Sequence, residues 1–158
     1  MPVVEGTYII YTVRPGDTLY SIARRFGSEV RLIEQTNALF PPVTDPGLIY
    51  PGQVLLIPET GFGQRSRISY LVKPGDTLYS IGLRFSATPD LLAGMNPQIT
   101  DLNVLFAGLP LEVPAFIYSV EMGQSLYRIS RELGVPMNEI IQANAGRPGF
   151  SPDVLYPN

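Results

Sequence analysis

No cysteine and no histidine occur among the 158 residues. Disulfides, thiol nucleophiles, imidazole bases and the common zinc ligands are therefore all excluded, and few enzyme mechanisms survive that loss. Charge is scarce as well: charged residues make up 16% of the chain, the formal net charge is −3, and Lys and Arg form no cluster. A phosphate-backbone partner is excluded on that ground, because nucleic-acid binding draws on clustered cations. The same sign offers no attraction to anionic membrane surfaces or wall polymers. A partner is expected to be held by hydrogen bonds and apolar contact, with little dependence on salt. A bilayer-spanning run is also missing, since the most apolar stretch, 102–120, is broken by Pro110 and Pro114 and reads as strand, link, strand. The first five residues show neither the basic region nor the apolar region of a secretory leader, which implies another export route or a leader already removed.

What is present is repetition. Hydrophobic residues reach 45%, enough for packed cores, and the 16 prolines and 15 glycines recur at matching places beside apolar runs. Aligned on Gly16, Gly75 and Gly123, three segments fall into register: YTVRPGDTLYSI from Tyr11, YLVKPGDTLYSI from Tyr70, and YSVEMGQSLYRI from Tyr118. An asparagine follows each glycine at one distance, since 37 − 16, 96 − 75 and 144 − 123 all equal 21. Downstream stand IYPG from Ile49, LFAG from Leu105 and LYPN from Leu155. Such a period identifies an array of small units rather than one large domain.

Within each copy the apolar period changes twice. Segments 8–13, 69–72 and 116–120 are short, rich in β-branched and aromatic residues, and end at a turn, which predicts strands. After each glycine the spacing becomes helical, with Leu19, Ile22, Ala23 and Phe26 as the first example. Thr88-Pro89 then reads as a cap and first-turn proline of a second helix, matched at 30–36 and 137–143. A closing run ending in proline returns to strand. The fold class is therefore α+β: three tandem βααβ modules, each a two-stranded antiparallel sheet with two helices on one face. The modules span 8–58, 68–114 and 116–158, with 59–67 as a flexible linker and a short, stiff join between modules 2 and 3. Module 3 ends at Asn158, where module 1 still has Gln53 to Pro58. Its closing strand is missing, so a shortened chain, or a strand supplied by another segment or chain, is expected.

The Gly-Asp-Thr-Leu turn, the helix after it, the spaced asparagine and the closing YPGQVLLIP motif together resemble the LysM family over nearly the whole chain. That resemblance implies a non-catalytic module binding N-acetylglucosamine-containing glycans, in peptidoglycan or chitin, along a shallow groove between two loops. Carried onto this sequence, it implies Gly16, Asp17, Thr18 and Leu19 facing 45–50, which includes Gly47, Leu48 and Ile49. In module 2 it implies Gly75, Asp76, Thr77 and Leu78 opposite 99–105, which includes Asp101, Asn103, Val104 and Leu105. In module 3 it implies Gly123, Gln124 and Ser125, with Gln-Ser in place of Asp-Thr. A glycine turn lets a ligand approach the backbone, whose amides suit an N-acetyl group, while Leu19 and Leu48 are expected to form an apolar wall. Several grooves on one chain would add by avidity.

Each of these residues also has a plainer expected role. Asp17 or Thr18 can cap the first helix, with Asp17 and Asp76 the favoured caps, the three asparagines are expected to satisfy local backbone, and Tyr20, Tyr79 and Tyr127 to pack on the neighbouring helix. Asp45 and Asp101 lie in loops without the partner carboxylate a glycosidase needs. No enzyme activity, cofactor, metal or membrane insertion is expected. The expected location is the cell wall, a spore surface or the extracellular space. The competing reading is a scaffold of a spore coat or cell envelope, with coat or envelope proteins as partners.

Overall fold

The computed structural model describes residues 3–44, 47–60, 66–153 and 155. Chain order is β1 (Val3–Val4), β2 (Thr7–Thr12), α1 (Leu19–Phe26), α2 (Val30–Thr36), β3 (Val54–Pro58), β4 (Arg67–Leu71), α3 (Leu78–Phe85), α4 (Pro89–Met95), β5 (Pro110–Glu112), β6 (Ile117–Tyr118), α5 (Leu126–Leu133) and α6 (Met137–Ala143). The βααβ plan holds in modules 1 and 2, where β2 pairs β3 and β4 pairs β5, both antiparallel.

The modules are not separate beads. Strands β2 and β4 pair in parallel, which fuses both hairpins into one sheet of order β3-β2-β4-β5. Both ends of the 59–67 segment are tied to the start of β2: the Glu59 amide donates to the Thr7 carbonyl at 2.9 Å, and the Arg67 amide to the Gly6 carbonyl at 3.1 Å.

The register of that parallel pair sets the shape of the molecule. Tyr11 and Tyr70 are equivalent in the repeat, yet Tyr70 partners Ile10. A slip of one residue reverses the face on which a strand's side chains point. The two modules therefore carry their helices on opposite faces of the common sheet. Ile9, Tyr11, Leu55 and Ile57 pack under α1 and α2, while Ile10, Val54 and Leu56, on the back of the same hairpin, join the core of module 2. Module 3 packs on that side too, with α6 against α3 and Ala143 and Ile117 at the edge of the shared core.

Strand β6 of module 3 is paired by the other end of the chain. β1 pairs antiparallel with β6, with Val3 opposite Tyr118 and Val4 opposite Ile117. In modules 1 and 2 the residues opposite the equivalent tyrosines are Leu55 and Leu111. Val3 thus takes the ladder position of Leu55, in the same register and direction. A strand from another segment, one of the alternatives expected, thus pairs with β6.

Candidate functional site

Each module turns from its first strand into its first helix through a glycine at positive φ: Gly16 at 85°, Gly75 at 89° and Gly123 at 82°. L residues are disfavoured in that region, so the glycine is required for the turn. The side chains beside it are occupied internally. Thr18 caps α1 by accepting from the Ser21 amide at 3.0 Å, and the Ser21 hydroxyl accepts from the Thr18 amide, which completes a capping box. Thr77 and Ser80 repeat that box, and Ser125 caps α5 by accepting from the Arg128 amide.

Asp17 and Asp76 therefore do not cap the helices, contrary to expectation. Each instead clamps the strand to the turn. Asp17 Oδ2 accepts from the Tyr11 hydroxyl at 2.5 Å and the Arg14 amide at 2.8 Å, and Arg25 lies 3.4 Å from Oδ1. Burial alone would raise the Asp17 pKa. The Tyr11 hydroxyl, the Arg14 amide and the Arg25 and Arg14 charges outweigh it and hold the carboxyl below its ordinary value. Burial and the same carboxylate push the Tyr11 phenol up. Asp76 repeats the clamp on the Tyr70 hydroxyl at 2.8 Å and the Lys73 amide at 3.0 Å.

Module 3 builds the clamp without a carboxylate on the turn. Gln124 Oε1 accepts from the Glu121 amide at 2.9 Å, and its Nε2 donates to the Tyr118 hydroxyl at 2.8 Å and to Glu132 Oε2 at 3.3 Å. Glu132 stands eight residues past Gln124, where modules 1 and 2 have Arg25 and Arg84. Exchange of the turn residue is matched by exchange of its helix partner.

With those side chains engaged, the turn presents backbone. Among the described residues, the N–H and C=O of Gly16, Gly75 and Gly123 and the carbonyls of Asp17, Asp76 and Gln124 make no intramolecular hydrogen bond. The facing loop is held close by a backbone pair: the Gly52 amide donates to the Val13 carbonyl and the Val13 amide to the Gln53 carbonyl, both at 2.8 Å. Module 2 repeats this with Gly108, Val72 and Leu109.

The remaining expected site residues separate into surface and core. Leu19, Leu78 and Leu126 are buried and shape the loop from below, so Leu19 is not an apolar wall facing outward. Gly47 and Leu48 are exposed, and Ile49 is half-buried against the module 1 core. In module 2, Asn103 and Val104 are exposed, Asp101 holds the loop by accepting from the Asn103 amide at 2.9 Å, and Leu105 packs inward. Asp45, and residues 154 and 156–158 of module 3, lie outside the described residues. Tyr50 closes the expected facing segment 45–50, and Phe106, its equivalent, lies one residue past the expected 99–105; they are 57% and 72% exposed on the two facing loops. Their shared place in the IYPG and LFAG motifs marks that equivalence. Tyr20, Tyr79 and Tyr127 are 64%, 66% and 60% exposed, so they do not pack on a neighbouring helix as expected.

The asparagines fulfil the structural role expected of them. Asn37 is buried, donates to the Ile33 and Leu56 carbonyls and accepts from the Leu56 amide, which pins α2 to β3. Asn96 does the same for α4 and β5 through Leu92 and Glu112. Asn144 bonds only its own helix, at the Ile140 carbonyl, among the described residues.

Fold and site define an array of three small modules fused into one body, two of them βααβ units that oppose a glycine turn to a loop with exposed apolar side chains. The model of the LysM domain matches residues 11–58, 70–114 and 118–158, and the chain belongs to the LysM family. It is similar to a "Putative sporulation-specific glycosylase YdhD" of Bacillus subtilis (strain 168), with 38% identity over 106 residues, 67% of this chain and 22% of that protein. A "Secreted LysM effector ECP6" of Passalora fulva is 33% identical over 124 residues, covering 67% of this chain and 53% of that protein. Among solved structures, the spore cortex-lytic enzyme SleL of Bacillus cereus matches 68% of this chain and 22% of that one, at 34% identity and a TM-score of 0.46. The chain thus spans between about a fifth and a half of these proteins.

Proposed function

We propose that the chain binds N-acetylglucosamine-containing glycans, in peptidoglycan or chitin, without transforming them, and that modules 1 and 2 each supply a groove. The observation that carries this reading is the pairing of unengaged backbone amide groups at the Gly16 and Gly75 turns with exposed Leu48 and Tyr50, or Val104 and Phe106, on the facing loops. Backbone donors and acceptors suit an acetamido group, and an aromatic ring suits the apolar face of a sugar. The neutral chemistry of both loops fits a ligand held without charge. Membership of the LysM family supports the same ligand class, and so do relatives whose names place them among wall-lytic enzymes and secreted effectors. An extracellular or envelope location follows from such a ligand.

Two grooves fixed in one body would engage one polymer with little added entropic cost at the second contact. Calorimetry with N-acetylglucosamine oligomers of increasing length tests this, together with pull-down on purified peptidoglycan and chitin at low and high salt. Affinity that rises with length and persists in salt supports the reading. Absence of binding to both polymers would move the assignment to a coat or envelope scaffold, with protein partners.

A further inference from the structure

Ile33, Leu92 and Ile140 stand at one position of the repeat, 17 residues past each turn glycine. The first two are fully buried in their module cores, but Ile140 is only half-buried, and α6 buries no residue completely. The cause is the short closing strand. Module 1 fills its core with Leu55 and Ile57, whereas the register that puts Val3 at the place of Leu55 brings exposed Glu5 to that of Ile57.

A cavity of about 360 Å³ remains. Its lining is mainly apolar, with Ile10 and Leu56 from the back of module 1, Phe85 from module 2, and Leu133 and Ile140 from module 3. Two guanidinium groups also face it, from Arg84 of module 2 and Arg147 of module 3. Arg84 donates through one terminal nitrogen to the Ala145 carbonyl at 2.7 Å, and Arg147 through one to Asn37 Oδ1 at 3.3 Å. The Nε–H of each is out of solvent contact and has no hydrogen-bond partner among the described residues. Glu139 is the carboxylate on the lining, and among the described residues neither arginine forms an ion pair with it. Asp76 lies near enough to Arg84 to favour its charge but forms no ion pair with it. Burial pushes Arg147 down to about 10, which leaves it cationic at neutral pH.

An unmet buried donor is costly, and a water placed against an apolar lining finds few partners. Both arginines line the cavity as cations with no ion-pair partner among the described residues, and charge-assisted bonds from guanidinium to an anion are the strong ones. A small inorganic anion would leave the apolar part of the cavity empty. We propose that this cavity binds an amphiphilic carboxylate of the fatty-acid type, its chain among the apolar side chains and its carboxylate on Arg84 and Arg147. The site is separate from the glycine turns and is independent of the glycan reading.

Calorimetric titration of the full chain with decanoate and with decanol, both below their aggregation concentrations, tests it. Decanoate is expected to bind at least about tenfold more tightly than decanol, the equivalent of about 1.4 kcal/mol. Arg147→Met should erase that preference, and Ala143→Phe, which fills the cavity, should weaken both ligands. If Arg147→Met does not fold, the ratio of the two ligands on the unaltered chain decides. Failure of decanoate to bind, or equal affinity for decanoate and decanol, would overturn the proposal.

Discussion

In module 1 an aspartate gathers a tyrosine hydroxyl, a backbone amide and an arginine; in module 3 a glutamine gathers the same hydroxyl and amide and meets a glutamate. The turn is conserved in shape while its charge is reversed at the partner position. Closure differs as well: module 1 is finished by five residues of β3 pinned through Asn37, and module 3 by two residues of β1 with no asparagine bond across. Turn geometry therefore tolerates a change of chemistry, whereas core filling depends on the length of the closing strand. A cavity lies where module 3 meets the other two modules.

The largest difference between the modules is expected at the asparagines. Asn37→Ala strands a buried amide and carbonyl of Leu56 and should cost about 3 kcal/mol, whereas Asn144→Ala should cost about 1 kcal/mol. Equilibrium denaturation of both variants checks this, and equal losses would break the comparison. Removal of residues 1–6 comes next. Hydrogen exchange at Tyr118, the hydrogen-bonded position of the pair, should quicken by about tenfold or more, equivalent to about 1.4 kcal/mol of local opening, with the amide of Tyr11 unchanged.

A smaller effect attaches to the turn. Gln124→Asp sets a carboxylate beside Glu132 and should destabilise module 3 by about 1 kcal/mol, and adding Glu132→Arg should restore it. A double-mutant cycle by denaturant titration measures that coupling. The smallest effect concerns pH. The folded carboxyl of Asp17 lies below its ordinary value of 3.8, so its contribution is fully present above that value and is lost as pH falls through the depressed folded pKa. An NMR titration of the Asp17 carboxyl should show the shift, and no equivalent acid loss should arise at Gln124.

Much of the fold was legible because local chemistry repeats. Three turns, six helical periods and three asparagines at one spacing fix βααβ modules without reference to tertiary contacts. The fusion of modules 1 and 2 left a weaker trace. Val54-Leu55-Leu56-Ile57 is an unbroken apolar run, the pattern of a strand buried on both faces, while Ile68-Ser69-Tyr70 alternates. Read that way, the back of module 1 already needed a partner. The closing strand β1 was not legible, since two valines carry no period. Nor was the choice between Asp17 and Thr18 as helix cap, because both side chains suit that role and the Tyr11 hydroxyl six residues earlier decides between them. Of the candidate site, the turn glycines were legible from the motif. Burial of Leu19 and engagement of Asp17 were not, because both depend on which way a side chain points.

Amide chemical shifts followed by NMR during titration with an N-acetylglucosamine hexamer test the central claim most directly. The account predicts that the amides of Gly16, Asp17, Gly75 and Asp76 move together with those of Leu48, Tyr50, Val104 and Phe106, while the cavity residues Leu133 and Ile140 stay still. Unmoved turn amides under saturating oligomer, or shifts confined to another surface, would contradict it.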